Sequence, residues 1–144
     1  MSDTSIDPDV WGSYMWFTIH YVALGYPEKP SEIDKKNYKE FYKNLQYTIP
    51  CQKCKEHYIQ MLTLDNNLIL KDSIFDNKIK LFRWTVDIHN AVNKRLNKKI
   101  LKYSEAICDL HNNNRNMNAI SELFTLILFI FVFIIFYKIM KYKK

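Results

Sequence analysis

The chain has 144 residues, of which 48% are hydrophobic and 15% aromatic, and it contains only two glycines and four prolines. So few turn-forming residues disfavour a β-rich fold, which needs many tight turns, and we predict an all-α protein. The net charge is +6, but no dense stripe of lysine and arginine with interleaved aromatic residues occurs, and this argues against nucleic acid as a partner.

Five helices are predicted before an apolar C-terminal stretch. The first follows the start signal Asp7-Pro8-Asp9 and ends at "GYPEKP". The second begins near Ser31, and the third begins at Cys51 behind Pro50. Apolar residues at three- and four-residue steps define the second helix (Ile33, Phe41 and Leu45) and the fourth (Ile79, Phe82, Val86 and Leu96). The first, third, fourth and fifth helices are expected at about 10–24, 51–62, 73–96 and 103–110.

The C-terminal stretch "LFTLILFIFVFIIFY", residues 123–137, is uncharged and almost wholly apolar. A bilayer core about 30 Å thick needs roughly 20 helical residues, and extension to Ala119 and Met140 supplies them. We therefore predict a transmembrane helix over 119–141. It would follow a domain over 1–110 and an Asn-rich linker over 111–118, and precede a basic tail over 142–144. A buried core helix is the alternative, but the stretch is apolar on every face.

Two predicted helix faces carry polar residues where a core would be apolar. His89 and Asn93 lie four residues apart on the buried side of the fourth helix, and Gly12, Trp16 and His20 share one face of the first. Buried polar groups cost about 1–3 kcal/mol unless they are hydrogen-bonded, and a glycine within a helix indicates close approach by another group. One interpretation is satisfied core histidines beside a tight helix crossing. The other is a flat ligand held between the helices.

The segment "TIPCQKCKEH" contains a CxxC pair, Cys51 and Cys54, which has three interpretations. It could supply a zinc site together with His57 and the distant His89, because zinc favours four sulfur or nitrogen ligands. It could be a pair of structural cysteines. It could also be a redox dithiol at a helix N-terminus, where the helix dipole favours a thiolate. A thioredoxin-like motif would need βαβ surroundings, which the helical pattern argues against.

Three segments together resemble a known family: "WGSYMWFTIHYVALGYPEKP", "YTIPCQKCKEHY" and "FRWTVDIHNAVNKRLNKK". Their motifs G-x-x-x-W-x-x-x-H, CxxC and H-N-x-V-N-x-x-L occur in the order found in the ERV/ALR family of FAD-dependent sulfhydryl oxidases. The resemblance covers about residues 10–110, and it is greatest to the versions carried by large cytoplasmic DNA viruses.

The resemblance implies a four-helix bundle with a short fifth helix, which holds FAD at the bundle's end and usually forms a homodimer. Cys51, nearer the surface, would exchange with a dithiol protein, and Cys54 would lie against the flavin and pass the electron pair to it. O₂ would then be reduced to hydrogen peroxide. Lys98 is suited to the phosphates of FAD. The residues implied to bind FAD are Gly12, Trp16, His20, His89, Asn90, Val92, Asn93, Leu96 and Lys98.

The sequence departs from the family in two respects. Many members carry a second, structural disulfide and a shuttle cysteine pair, whereas here Cys108 is the one cysteine outside the CxxC. We expect Cys108 to be a buried apolar filler. The tryptophan that members often carry after the start of the fifth helix is also missing. Without a shuttle pair, Cys51 would accept electrons directly from another protein, such as a thioredoxin-like carrier.

The predicted span also suggests an orientation in a virion or host membrane. The N-terminus "MSDTSIDPDV" is polar and acidic, unlike a secretory signal, so a span close to the C-terminus predicts a tail anchor with the domain facing the cytosol. The basic end "KYKK" favours the opposite orientation, and the cytosol is normally reducing. The rival to an oxidase is a non-enzymatic, membrane-tethered helical module that binds zinc or another protein.

Overall fold

A computed structural model describes residues 6–142, and the side chains at 109, 111–119, 136–137 and 140–142 lie outside that description. The described backbone is helical and contains no strand, which confirms the all-α prediction. The chain divides into two compact units, Met1–Tyr103 and Ser104–Lys144. The α-helices are α1 Pro8–Leu24, α2 Glu32–Thr48, α3 Gln52–Leu64, α4 Lys78–Arg95 and α5 Tyr103–Tyr142, with a 3₁₀ helix at Asp72–Asp76.

The helices begin at residues whose side chains satisfy free backbone N–H groups. The Asp7 carboxylate accepts a hydrogen bond from the backbone N–H of Asp9, and Pro8 occupies the first helical position of α1. Ser31 and Asp34 form a reciprocal capping box at the start of α2. The predicted starts of these two helices are therefore correct to within two residues.

The start of α4 differs from the prediction. Asn77 interrupts the expected helix: its backbone is extended, with φ −160°. Its side chain accepts from the N–H of Lys80 at 2.9 Å and so starts a new helix.

Three isoleucine and leucine residues predicted to face the core are at the surface, because the buried faces of α2 and α4 are formed by other residues. The exposed fractions are 63% for Ile79, 53% for Leu96 and 59% for Ile33 in α2.

The core of the first unit is joined by aromatic side chains that also carry a polar group. α1 packs on α4, and α2 packs on α3. Each buried donor reaches a backbone carbonyl of another segment, so large apolar rings are buried without an unsatisfied hydroxyl or indole N–H. These bonds hold α2 to α1, α3 to α2, and the turn after α1 and the body of α4 to the segment around the 3₁₀ helix. They are Tyr26 to Phe75 at 2.8 Å, Tyr42 to Ile19 at 3.0 Å, Tyr58 to Tyr42 at 2.8 Å and Trp84 to Leu68 at 3.0 Å.

The backbone of α5 is helical throughout the Asn-rich stretch at 111–118, which was predicted as a linker between two helices. Asparagine lowers helix propensity by less than about 1 kcal/mol per residue, and no glycine or proline interrupts the stretch. Cys108 is exposed, so its prediction as a buried filler is wrong.

The predicted transmembrane helix over 119–141 is not found in the described part of the chain. Among the residues whose side chains are described, no helix combines the length and hydropathy needed to cross a membrane. The side chains of Ala119 and of the whole basic tail over 142–144 belong to the positions outside that description.

Candidate functional site

The CxxC lies at the N-terminus of α3, and Cys51 and Cys54 form a disulfide with their Cα atoms 5.2 Å apart. Cys51 is the N-cap residue, and its Sγ accepts from the backbone N–H of Cys54 at 3.2 Å. The free N–H groups and the positive end of the helix dipole favour negative charge at this sulfur. On reduction, the position would therefore stabilise a thiolate.

The relative exposure of the two cysteine residues differs from the prediction. Cys51 is only 9% exposed, whereas Cys54 is half-buried. The backbone next to Cys51 contacts the residues before α1, because the N–H of Ile6 donates to the carbonyl of Pro50 at 3.0 Å. Trp11 in turn donates from Nε1 to the carbonyl of Ile6 at 2.8 Å. Ile6, just before α1, thus lies against the turn that leads into Cys51.

Two cations lie near the first turns of α3, with the negative charge of Glu56 beside them. The pKa of His57 is lowered by burial and then by the neighbouring charges of Arg95 and Lys53. Arg95 belongs to the last turn of α4, so the C-terminal end of α4 lies close to the CxxC helix. Nearby cations favour a thiolate over a thiol, and the site therefore suits thiol–disulfide exchange.

A pair of histidines joins α1 to α4. Nε2 of His20 lies 3.0 Å from Nδ1 of His89, and Nδ1 of His20 lies 2.9 Å from Oγ1 of Thr85. Burial lowers the pKa of His20 to about 4. Burial, His20 and the charge of Lys98 lower the pKa of His89 to about 4 as well. Both imidazoles are therefore neutral at pH 7.

Trp16 and His89 do not leave a slot between them. Their ring centroids are 4.0 Å apart and their planes differ by 6°, so the rings are in direct face-to-face contact. A flat ligand held between the helices, as expected from the sequence, would therefore not lie between these two rings. A planar group could instead contact the outer edge or face of the stacked pair.

Gly12 has open space where a side chain would be. A Cβ atom built at Gly12 would meet nothing within 4 Å. The interpretation of this glycine as a tight helix crossing is therefore wrong. Gly12 lies two helical steps before His20 on the same face of α1, so free space lies beside the Trp16–His20 surface.

The two asparagines predicted to bind the cofactor contact the protein's own backbone. Asn90 makes two hydrogen bonds to Leu101, at 2.9 and 2.8 Å, and the Asn93 amide donates to the carbonyl of Lys99 at 3.1 Å. Asn97 has φ 52°, a left-handed conformation that asparagine tolerates better than most residues. These contacts shape the turn that carries Lys98.

The other predicted residues in this part of α4 and the following turn differ in exposure. Val92 is half-buried, while Leu96 and Lys98 are exposed. Lys98 lies close enough to His89 for its charge to lower the pKa of that histidine.

The zinc interpretation finds no cluster of ligands. Within the described residues, no three or more histidine, cysteine or acidic side chains come together to hold a metal ion. Cys51 and Cys54 are joined to each other, and His89 is hydrogen-bonded to His20.

Thr85 was not predicted as part of this site. It is fully buried, and it connects His20 to the backbone of α4 by donating to the carbonyl of Phe82 at 2.7 Å. The signal was present in the sequence, because Thr85 lies one four-residue step before His89 on the face that bears His89 and Asn93.

A family model described as Erv1 / Alr family matches residues 13–118. The chain belongs to the Erv1/Alr family. Its similarity to a protein of Acanthamoeba polyphaga mimivirus, described as probable FAD-linked sulfhydryl oxidase R368, is 43% identity over 102 residues. That match covers 71% of this chain and 69% of the relative. An FAD-linked sulfhydryl oxidase of African swine fever virus (isolate Tick/Malawi/Lil 20-1/1983) is 36% identical over 95 residues, covering 66% and 75%.

Solved structures agree with this assignment. The FAD binding domain of Erv1 from Saccharomyces cerevisiae is similar to this chain with a TM-score of 0.60 and 25% identity. The match covers 69% of this chain and 89% of that domain. The yeast Erv1 core gives a TM-score of 0.59 over 69% of this chain and 79% of its own. The Erv1/Alr match spans both the CxxC helix and the His20–His89 contact.

Proposed function

We propose that this chain is an FAD-linked sulfhydryl oxidase that makes disulfide bonds in protein substrates and reduces O₂ to hydrogen peroxide. The observation that carries the proposal is the Cys51–Cys54 disulfide at the N-terminus of α3, in a member of the Erv1/Alr family. A helix N-terminus and nearby cations stabilise the thiolate that such a disulfide releases when it is reduced.

The exchange reaction involves only the sulfur atoms of Cys51 and Cys54 and the thiols of the substrate. A thiolate of the substrate attacks one sulfur of the Cys51–Cys54 disulfide, forms a mixed disulfide and releases the other sulfur as a thiolate. The substrate's second thiol then attacks the mixed disulfide and leaves as an oxidised substrate. Two electrons and two protons have passed to the chain, which now holds a dithiol. The assignment of Cys51 to exchange with the substrate, and of Cys54 to contact with the cofactor, remains a prediction.

FAD fits the surroundings of the histidine pair. Open space at Gly12 adjoins the face of α1 that bears Trp16, and the exposed Lys98 supplies positive charge near His89. When bound, FAD accepts the electron pair of the dithiol and delivers it to O₂. Trp16 and His89 would contact its rings, and Lys98 would contact its phosphates. The buried His20 would act by holding His89. Asn90 and Asn93 would act by shaping the turn that carries Lys98.

The purified chain should be yellow, with flavin absorbance, and should form hydrogen peroxide from a small dithiol in the presence of O₂. A matched pair of variants tests the position of the cofactor. Gly12→Ala fits the open space and should raise helix stability by up to about 1 kcal/mol. Gly12→Phe should fold because the same space is open, yet lose FAD because its ring would occupy the proposed site.

A colourless protein that forms no peroxide after FAD is added would contradict the oxidase and favour the zinc or interaction module. A Gly12→Phe protein that folds and retains FAD with wild-type affinity would contradict the position of the cofactor. The dissociation constant can be measured by quenching of flavin fluorescence, with circular dichroism as the control for folding.

We infer that the substrate is a dithiol protein, such as a thioredoxin-like carrier. Within the described residues Cys108 is a single free cysteine, so it does not form a second pair that could pass electrons to the CxxC as a shuttle. A homodimer is the expected assembly. The mass of the purified protein in solution tests the dimer. Trapping of a mixed disulfide between a Cys51→Ser or Cys54→Ser variant and the carrier in its oxidised, disulfide form tests the carrier.

We propose that α5 attaches the protein to a membrane through its apolar surface. All side chains at 120–135 are exposed, and among them are Phe124, Phe129, Phe131 and Phe133 at 60–71%. So large an apolar surface is unusual on a free monomer, and its presence on every face of the helix fits lipid better than one protein partner. The catalytic domain is expected to face the cytosol, which protease digestion of sealed membranes would test.

Flotation with phospholipid vesicles tests the attachment. The full chain should float with the vesicles, and the double variant Ile127→Lys/Ile130→Lys should remain in the soluble fraction. The matched control is Ile33→Lys/Ile79→Lys, which changes two exposed isoleucines in the first unit and should float like the wild type. Flotation of the α5 variant at the wild-type level would contradict the proposal.

A further inference from the structure

Four groups form a hydrogen-bonded chain from the surface of the site to the backbone of α4. His89 contacts His20, His20 contacts Thr85, and Thr85 contacts the carbonyl of Phe82. Each link is short, at 3.0, 2.9 and 2.7 Å in that order. The donor and acceptor are certain at the Phe82 end of this series of hydrogen bonds, because a carbonyl oxygen can only accept hydrogen bonds.

The direction of every bond in this chain follows from that carbonyl. The hydroxyl of Thr85 has one proton, and it is used in the bond to Phe82. The oxygen of Thr85 can therefore only accept from His20, so Nδ1 of His20 must carry a proton. Because His20 is buried and neutral, its Nε2 has no proton and accepts from Nδ1 of His89. Both histidines are consequently held in the Nδ1–H tautomer.

This arrangement leaves one nitrogen available. Nε2 of His89 has no hydrogen-bond partner among the described residues. It is also not sealed inside the protein, because every fully buried side-chain nitrogen or oxygen in the described chain has a partner. His89 is half-buried and its ring is fixed against Trp16, so the lone pair of Nε2 points in one direction towards the surface of the site.

We propose that Thr85 is a positioning residue which, through His20, holds His89 as a hydrogen-bond acceptor at Nε2, so that the bound ligand must present an N–H or O–H donor there. The inference rests on the proposed function for the identity of the ligand, which is FAD. FAD offers such donors in its adenine amine, its flavin N–H and its sugar hydroxyls, but not in its phosphates at neutral pH. The phosphates therefore belong near Lys98 and away from Nε2 of His89.

Nitrogen-15 NMR of the histidine side chains tests the tautomers directly, because protonated and unprotonated ring nitrogens have well-separated shifts. In the wild-type protein, His20 and His89 should both be protonated at Nδ1 and unprotonated at Nε2 at pH 7. Addition of FAD should shift the Nε2 resonance of His89 while leaving that nitrogen unprotonated. A wild-type protein with a proton on Nε2 of either histidine, or an Nε2 resonance that FAD does not move, would overturn the proposal.

Variants of Thr85 test its role. Thr85→Val has nearly the same shape but no hydroxyl, so His89 should lose its single tautomer and FAD should bind about tenfold more weakly. Thr85→Ser keeps the hydroxyl and should restore both the tautomer and the affinity. Thr18→Val is the matched control, because Thr18 is an exposed helical threonine that donates to the carbonyl of Tyr14, away from the histidines.

The outcomes separate the two proposals. If the wild type binds FAD but Thr85→Val keeps the tautomer or the affinity of the wild type, the role of Thr85 is wrong and the oxidase stands. If no protein, including the wild type, binds FAD, the proposed function and the ligand-facing role of His89 both fail. Should Thr85→Val not fold, the wild-type NMR measurements still decide the proposal.

Discussion

Replacement of Cys54 by serine is expected to abolish peroxide formation from a dithiol while leaving FAD bound. Serine cannot form the Cys51–Cys54 disulfide, so the substrate thiolate has no disulfide to attack. The protein should remain folded, because Cys54 is only half-buried and the core lies elsewhere. We expect turnover to fall by about a thousandfold or more, since a step that requires the covalent group cannot proceed without it. Oxygen consumption with a small dithiol measures the rate, and the flavin spectrum measures occupancy.

Two other cysteine variants make this result interpretable. Cys51→Ser should be equally inactive, whereas Cys108→Ser should keep wild-type turnover, because Cys108 is free and lies in the second unit. When the protein substrate is supplied in its oxidised, disulfide form, the thiolate left in the variant attacks that disulfide and releases one substrate sulfur as a thiolate. The variant that retains the exchanging sulfur should then accumulate a mixed disulfide, because its second cysteine is absent and cannot resolve it. We expect that variant to be Cys54→Ser, and accumulation with Cys51→Ser alone would reverse the two roles. Full turnover by Cys54→Ser would contradict the CxxC as the redox centre.

The burial of Cys51 affects which of the two cysteines a substrate can reach. The family resemblance places Cys51 nearer to the substrate, yet the N-terminal segment at Ile6 covers the turn beside it. A substrate would have to displace that segment or approach through the half-buried Cys54. The sequence could not predict this cover, because it depends on a hydrogen bond between residues 6 and 50, far apart in the chain.

Local signals in the sequence predicted helix starts well but predicted burial less well. Asp7 and Ser31 act on backbone groups two or three residues away, so their positions in the sequence are enough to locate the starts of α1 and α2. Ile33 and Ile79 follow helical spacing and are nevertheless exposed. Their exposure depends on how α2 and α4 are rotated against their neighbours, which tertiary packing determines.

The same distinction applies within the candidate site. Spacing alone placed Gly12, Trp16 and His20 on one face of α1, and His89 with Asn93 on one face of α4, and the structure brings Trp16, His20 and His89 together. Residue spacing could not show that Asn90 binds the backbone of Leu101 and that Asn93 binds the backbone of Lys99. Those contacts require the chain to turn back after α4, and that path is set by the left-handed Asn97.

Acidification from pH 7 to pH 5 is expected to lower the free energy of unfolding by on the order of 2 kcal/mol through His20 alone. The pKa of His20 is lowered to about 4 in the folded protein, from 6.5 in an unfolded chain. The unfolded state therefore binds more protons between these values. The contribution of His20 to the free energy of unfolding is fully present well above pH 6.5 and is lost as the pH falls towards 4. His89, also with a pKa of about 4, adds to the loss.

A His20→Gln variant isolates this contribution. Glutamine does not titrate, so the variant should be less stable than the wild type at pH 7 but should lose about 2 kcal/mol less on going to pH 5. His57→Gln is the control, because the half-buried His57 lies outside the His20–His89 pair, and it should keep most of the wild-type acid sensitivity. Urea unfolding at both pH values, with the same FAD concentration throughout, gives the free energies. Hydrogen bonds from Ser31 to Asp34 and from Lys39 to Asp72 hold the pKa values of these two carboxylates below the usual value, so both stay ionised at pH 5.

Equal losses of stability in the wild type and in His20→Gln would show that His20 is not held neutral by burial. The hydrogen-bonded chain through Thr85 gives a second measurement that does not depend on a variant. A protonated His20 would donate from both nitrogens, and His89 would have to accept at Nδ1 instead of donating. Acid should therefore move the proton of His89 to Nε2 as His20 titrates, and FAD affinity should fall in the same pH range. The folded-state titration of His20 near pH 4 both removes the acceptor that faces the ligand and ends the loss of stability due to His20. The midpoint of the fall in FAD affinity should therefore lie near pH 4, where the difference in stability between the wild type and His20→Gln levels off, and a midpoint well above that pH would contradict the coupling.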